Sequence, residues 1–254
     1  MVNKKLTLGS VILLTCIGCN SDTNDQQKML DDNQAKWESL NITDYTFTQR
    51  RSCFCVPEVV QPTVLLIKDN QTVLSYTEQD EVIVDKQFRS SFLTVNELFI
   101  KVNSLIDNSE SLTVEYHPTF GYPTLISADI DKQMVDDEFS INSGDFVDTT
   151  DAVCPEIFFP SFTLNIIDND TQAPLNCDVY GRFQFEDKEA EEFLLDTNNQ
   201  CDPTTPVDLG TNFGIANLTV KSDGYNMKKI DEIHIIADHC HIKTQNLNIS
   251  LTAK

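Results

Sequence analysis

The spacing of its cysteines restricts how this chain can fold more than any other feature. There are eight in the 254 residues. Cys16 and Cys19 lie near the N-terminus, and Cys53 and Cys55 flank Phe54. After a long cysteine-free stretch come Cys154, Cys177, Cys201 and Cys240. An even set on each side of that gap implies two units, each closing its own disulfides in an oxidising compartment. The later four allow three pairings. Cys154–Cys240 and Cys177–Cys201 are preferred: one ties the start of the second unit to its penultimate strand, the other holds the loop-rich middle. On the chain-entropy view these loops are worth about 4–5 and about 3 kcal/mol.

The N-terminus supports such a compartment. Lys4 and Lys5 precede the apolar run Leu6 to Leu14, the layout of a secretory signal and too short for a helix of ~20 residues across a bilayer. The stretch ends Ile17-Gly18-Cys19 and resembles the lipobox of bacterial lipoproteins, with Cys16 where leucine is commonest. The resemblance implies that residues 1–18 are a lipoprotein signal peptide, that Cys19 carries lipid such as palmitate, and that the membrane is a partner through that anchor. Asn20 after the cysteine implies, by the same resemblance, the outer membrane of a bacterial cell envelope. Residues 19–28 are polar and read as a tether to the first fold.

Charge narrows the partners further. The chain has 18 basic and 40 acidic residues, a net −22; loss of residues 1–18 removes Lys4 and Lys5 and no acid, giving −24. That field argues against nucleic acid and anionic lipid, and leaves another envelope protein as the expected macromolecular partner. With 40% hydrophobic residues and 15 Phe, the chain can fill two cores of domain size.

Residues 29–147 read as an α+β domain with an antiparallel sheet. A helix is expected from about Gln26 to Leu40. From Tyr45 the period changes to two, and the parity of Tyr45 and Phe47 reaches Cys53 and Cys55. Val64 to Ile67, a turn at Lys68-Asp69-Asn70-Gln71, and Val73 to Tyr76 form a hairpin. Thr94 and Glu97 have capping-box spacing, with Leu93 and Leu98 placed as a hydrophobic staple. Val95, Leu98, Phe99, Val102, Leu105 and Ile106 continue at helical spacing. Leu112–Tyr116 and Thr124–Asp129 form a second antiparallel pair, and Glu138–Ile141 a last strand. Trp37, Asp44 to Phe47, Cys53-Phe54-Cys55, Thr94 with Leu98-Phe99, Gly121-Tyr122-Pro123 and Asp137-Glu138 resemble an uncharacterised domain family of exported bacterial proteins. The resemblance implies a fold and no chemistry.

Ser143 to Val153 reads as the linker, and residues 148–254 as an all-β sandwich. Phe162–Ile166, Val179–Phe185, Leu218–Val220, Ile233–Ile235 and Leu247–Leu251 are short strands, the last alternating without fault. Ile167-Asp168 with Thr171, Pro174-Leu175, Cys177, Leu218 to Val220 with Gly224-Tyr225, and Cys240-His241 resemble the carboxypeptidase regulatory-like, transthyretin-like sandwich, with Gln172 where the turn usually has Gly. The resemblance imports no peptidase activity, since it is to an accessory module.

No catalytic residue, metal site or cofactor is assigned. Successive strand residues face opposite ways, so His239 and His241 share a face without Cys240, which disfavours a metal there. Asp129, Asp131, Asp136, Asp137 and Glu138 lack EF-hand spacing and read as a solvated turn. His117, before Pro118, reads as a surface turn residue. Cys53 and Cys55 are a structural disulfide first. An extended Cys-x-Cys spans about 6.6–6.8 Å between Cα atoms, so closing it needs a bend, and Arg50 and Arg51 nearby would favour thiolate. That makes a thiol–disulfide redox protein acting through Cys53 and Cys55 the alternative. Against it, no helix is evident after the pair, and shared parity with Tyr45 and Phe47 would leave both sulfurs buried and inert. The leading expectation is a non-enzymatic envelope lipoprotein presenting two structural or binding modules.

Overall fold

A computed structural model describes residues 21–134, 136–195 and 201–254. It is β-rich with few helices. The first half runs α1 (Ser21–Ser39), β1 (Tyr45–Ser52), α2 (Pro57–Val60), β2 (Thr63–Lys68), β3 (Gln71–Thr77), α3 (Val95–Ile106), β4 (Ser111–Tyr116), β5 (Pro123–Asp129) and β6 (Phe139–Asp148). The strands make one six-stranded sheet in the order β3-β2-β1-β6-β5-β4, every pair antiparallel.

The core lies between this sheet and the two long helices. Tyr45 and Phe47 from β1, Leu65 and Ile67 from β2, and Ile126 and Ile141 from β5 and β6 meet Leu30 and Trp37 of α1 and the apolar stripe of α3. Helix α3 starts at a complete capping box: Thr94 Oγ1 accepts from Glu97 N, and Glu97 Oε2 accepts from Thr94 N. Two buried polar side chains dock that start onto β1. The Tyr45 hydroxyl accepts from Val95 N at 2.9 Å. Gln49 takes the N–H of Leu93 on its oxygen and gives its amide N–H to the Leu93 carbonyl. The turn between β2 and β3 is left-handed at both centres, φ 49° at Asp69 and 60° at Asn70, which Asp and Asn tolerate and a tight hairpin needs. Gly121 (φ 83°) sits where an added Cβ would lie 2.6 Å from the Asn33 carbonyl oxygen. Only glycine lets that loop lie against α1.

Two expectations fail here. The stretch read as a tether is helical from Ser21. Its polar residues are held by the fold: Gln26 Nε2 donates to the Leu112 carbonyl, and Gln27 reaches Asn103. The stretch read as a linker begins as strand, since β6 continues to Asp148 opposite Tyr45. Pairing with the central strand β1 overrides the turn-like composition of Ser143 to Asp148. A bulge opposite Phe47, with Asp145 at φ 48°, turns Phe146 into the rings of Trp37, Tyr45, Phe120 and Tyr122. The connection between the halves is therefore 149–161.

The second half contains β7 (Phe162–Asp168), β8 (Val179–Phe185), β9 (Glu191–Leu195), β10 (Val207–Leu209), β11 (Gly214–Ser222), β12 (Lys228–Ile235) and β13 (Gln245–Leu251). They form two sheets, β10-β7-β13 and β12-β11-β8-β9. Strand β13 lies parallel to β7. Phe162, Leu164, Ile166, Ile249 and Leu251 face Val179, Phe183, Phe185, Leu218 and Val220 across the core. At the end of β7, Asp168 caps its own turn. Its carboxylate accepts from Asp170 N, Thr171 N and the Tyr225 hydroxyl, and these bonds, led by Thr171 N, hold its pKa down at about 2. Gln172 completes the turn at φ 60°.

Candidate functional site

The halves meet along the face of the six-stranded sheet that the helices leave bare. Leu66 and Leu74 project there from β2 and β3, and with Ile83 they bury against Ile236 and Ala237, which follow β12. Leu65 and Ile67 face the helices while Leu66 faces the second half, so β2 is buried on both sides. Beside this contact the Ile83 N–H donates to His234 Nδ1 at 3.0 Å. The bond requires that nitrogen unprotonated, and burial keeps the His234 pKa below its usual value against the carboxylates of Glu232 and Glu186. Ion pairs ring the junction: Lys86–Asp187 and Arg89–Glu186 at 3.0 Å, and Lys243–Glu81 at 2.6 Å. Exposed pairs of this kind contribute about 0–1 kcal/mol each, so they add little to the strength of the junction.

An open cleft of about 650 Å³ lies over the junction, lined from both halves. Val82, Ile83, Val84 and Ile215 supply apolar surface, and Glu58, Asp80, Asp85, Glu186 and Glu232 supply acids beside His234. None of these residues stands out in the sequence. His234 lies in an ordinary strand pattern, and the acids are scattered along an acidic chain. The one available signal was the unbroken run Val64 to Ile67, which suits a strand buried on both faces.

The structure joins Cys154 to Cys240, Cys177 to Cys201 and Cys53 to Cys55, with Cα atoms 5.3, 5.8 and 5.2 Å apart. The last pair departs from the expected burial. The inward series Tyr45, Phe47, Gln49 stops with β1, the chain bends, and Cys55 N donates to the Cys53 carbonyl at 2.9 Å. This i to i+2 turn shortens the span below that of a strand. Cys55 is exposed and Cys53 partly so, while Phe54 between them is 87% exposed. Nor is the pair without a helix: α2 begins two residues after Cys55 and brings Pro57 and Glu58 to the cleft.

The other singled-out residues do not assemble. His239 and Cys240 lie in a bend rather than a strand, so the parity argument against a metal does not apply. Cys154, His239 and Cys240 do converge, but the two sulfurs are bonded to each other and offer no thiolate. His241 Nε2 lies 3.1 Å from the Pro155 carbonyl. Asp129 and Asp137 each bury one carboxylate oxygen without a hydrogen-bond partner. Burial, then the charges of Asp137, Glu138 and Glu110, raise the Asp129 pKa. Asp131 and Asp136 do not join them in a group of three or more acids close enough to hold an ion, among the described residues. His117 Nδ1 accepts from Thr119 N and Phe120 N, and its ring stacks on Tyr122. Cys19 lies outside the described residues. No described helix is long and apolar enough to cross a membrane.

Residues 29–148 match the model of a family of unknown function, DUF6174. The match ends on the last residue of β6, so it spans the whole six-stranded sheet. No curated protein and no solved structure matches the chain.

Proposed function

We propose that this chain is a non-enzymatic lipoprotein of a bacterial cell envelope, lipidated at Cys19 and held at the outer membrane. Its α+β module and its transthyretin-like sandwich act together as one binding unit. The observation that carries the reading is the cleft of about 650 Å³ lined from both halves. It exists only while the halves are docked, and docking is built in by an apolar contact, a backbone-to-histidine bond and three ion pairs. The partner is another envelope protein, which inserts an apolar segment flanked by basic residues to match the acids around the cleft. No cofactor is required. The lipobox resemblance supports the anchor.

A photo-crosslinker at Val82, exposed within the cleft, tests the reading in intact cells. We expect one discrete envelope protein to be captured, and the capture to be lost when Asp80 and Glu232 are both changed to Lys. Absence of any crosslink, together with turnover in broad hydrolase screens, overturns it. For the anchor, Cys19→Ser should abolish palmitate labelling, and equal labelling refutes lipidation there.

A second reading, thiol–disulfide exchange through Cys53 and Cys55, is favoured by one observation: the exposed bend that presents the pair beside Phe54. Alkylation of the folded protein across a graded redox buffer decides it. A redox role requires this pair to open well before the other two bridges, because structural bonds lie below about −300 mV. Failure to open before the fold melts removes this reading.

A further inference from the structure

From the outer face of the sheet β12-β11-β8-β9 we infer a second, separate binding surface, for an anionic polysaccharide. Along β8, Val179 and Phe183 enter the core, so Tyr180 and Arg182 point away from it. The register sets two cross-strand rows on that outer face. Lys229, Thr219, Arg182 and Glu192 form one, and Lys221, Tyr180 and Leu194 the other. Together with Met227 they line an open groove of about 650 Å³. Large apolar groups lie bare in it: Leu194 is 64%, Met227 55% and Tyr180 40% exposed. The Lys221 ammonium lies 5.9 Å from the centre of the Tyr180 ring.

The charge of this face runs against the rest of the chain. The sequence has 40 acidic residues against 18 basic ones, yet the groove is lined by three cations and one acid, Glu192. Elsewhere among the described residues only Lys28, Lys86, Arg89, Lys132 and Lys243 are paired with carboxylates, so what distinguishes the groove is that its three cations cluster on adjoining strands. Among the described residues Arg182, Lys221 and Lys229 have no such partner. Lys229 and Arg182 stand two strands apart, about 10 Å, a span that two linked pyranose rings cover. A sugar chain bearing carboxylate or sulfate groups answers each feature. Its anions meet Arg182, Lys221 and Lys229, and its C–H faces lie on Tyr180, Leu194 and Met227. An open groove suits a polymer better than a small enclosed ligand. Duplex nucleic acid, with one charge per about 1.7 Å, and anionic bilayers present denser charge than a uronate chain with one per sugar, and the net −22 of the whole chain opposes them. Contacts within the groove act inside a screening length of about 8 Å and escape most of that repulsion.

The test is affinity electrophoresis of the full chain in gels holding polygalacturonate, dextran sulfate or neutral dextran, beside flotation with anionic phospholipid vesicles. We expect retardation by at least one anionic glycan, none by dextran, and relief of the retardation by salt. Arg182→Glu with Lys221→Glu and Lys229→Glu should weaken binding at least about tenfold. Tyr180→Ala should weaken it several-fold while the thermal midpoint holds. Replacing Lys221 and Lys229 by Gln provides a milder pair should the triple variant fail to fold. The proposal is overturned by no retardation in either anionic glycan, by equal retardation in dextran, by folded variants that bind like wild type, or by binding to vesicles without binding to glycan.

Discussion

Acidification should loosen the junction between the halves through His234. Its Nδ1 accepts from the Ile83 N–H at 3.0 Å. Burial sets its folded pKa below the ordinary value, with the Glu232 and Glu186 carboxylates pulling the other way. The unfolded chain, with a histidine pKa of about 6.5, therefore takes the proton first. The contribution is complete above that pH and is lost as pH falls from there through the folded pKa. Its size follows from Ile83, which is only 3% exposed. A buried donor stripped of its acceptor costs about 1–3 kcal/mol. The lower end applies, because His234 is only partly buried and water reaches its ring. Urea melts followed by far-UV circular dichroism at roughly pH 7.5 and roughly pH 5.5 give the readout. Wild type should lose about 1 kcal/mol on acidification through this group. His234→Asn keeps an acceptor oxygen and cannot titrate, so it should lose correspondingly less. His234→Ala should be weakened at both pH values. Every other side chain is common to all three proteins, so a difference between them isolates this position. An identical pH dependence in wild type and His234→Asn would refute the argument.

Other substitutions probe the two cores and their closures. Tyr45→Phe removes the acceptor of the Val95 N–H at the start of α3 and should cost about 1–3 kcal/mol, read from the fluorescence of Trp37, the single tryptophan. Gln172→Gly should stabilise the second half by about 0.5–1 kcal/mol. Relief of a left-handed φ of 60°, worth about 1–2 kcal/mol, outweighs the added freedom of the unfolded chain and the loss of the exposed Gln172 Nε2 bond to the Asn169 carbonyl. Replacing Cys177 and Cys201 by Ala should cost about 3 kcal/mol, and replacing Cys154 and Cys240 about 4–5, since the latter close the longer loop. Non-reducing peptide maps of the intact chain should yield those two linkages.

Features written in short-range chemistry were legible in the sequence. The capping box at Thr94 and Glu97, the turn at Asp69 and Asn70, and the alternation of Leu247, Ile249 and Leu251 need only neighbouring residues to be read. Structure departs from local composition where a distant partner decides. Ser143 to Asp148 has the composition of a loop, yet β1 supplies ladder partners for all but the bulged residues. Asn24 to Lys28 has the composition of a tether, yet Gln26 and Gln27 find Leu112 and Asn103 far along the chain. The cysteine pair departs from expectation for the opposite reason. Strand parity does not carry past Ser52, because the ladder with β6 ends there and nothing enforces it.

The junction was the least legible part, because half-buried strands hide a second interface inside an ordinary pattern. In β1 the alternation Tyr45, Phe47, Gln49 inward and Thr46, Thr48, Arg50 outward declares one buried face. In β2 no such alternation survives, since Leu65, Leu66 and Ile67 are all buried. A four-residue apolar run flanked by turn residues is compatible with either a hairpin edge or a strand between two layers. What separates these readings is the matching surface elsewhere, and here it is Ile236 and Ala237 beyond the end of β12. They lie well over a hundred residues away, and no local spacing connects them to Leu66. The His234 bond has the same character: a backbone N–H on one half and an imidazole on the other, with no motif in either segment. A cleft built at such a junction inherits that invisibility. The residues that line it are selected by docking, so their chemistry becomes readable only once both surfaces are known.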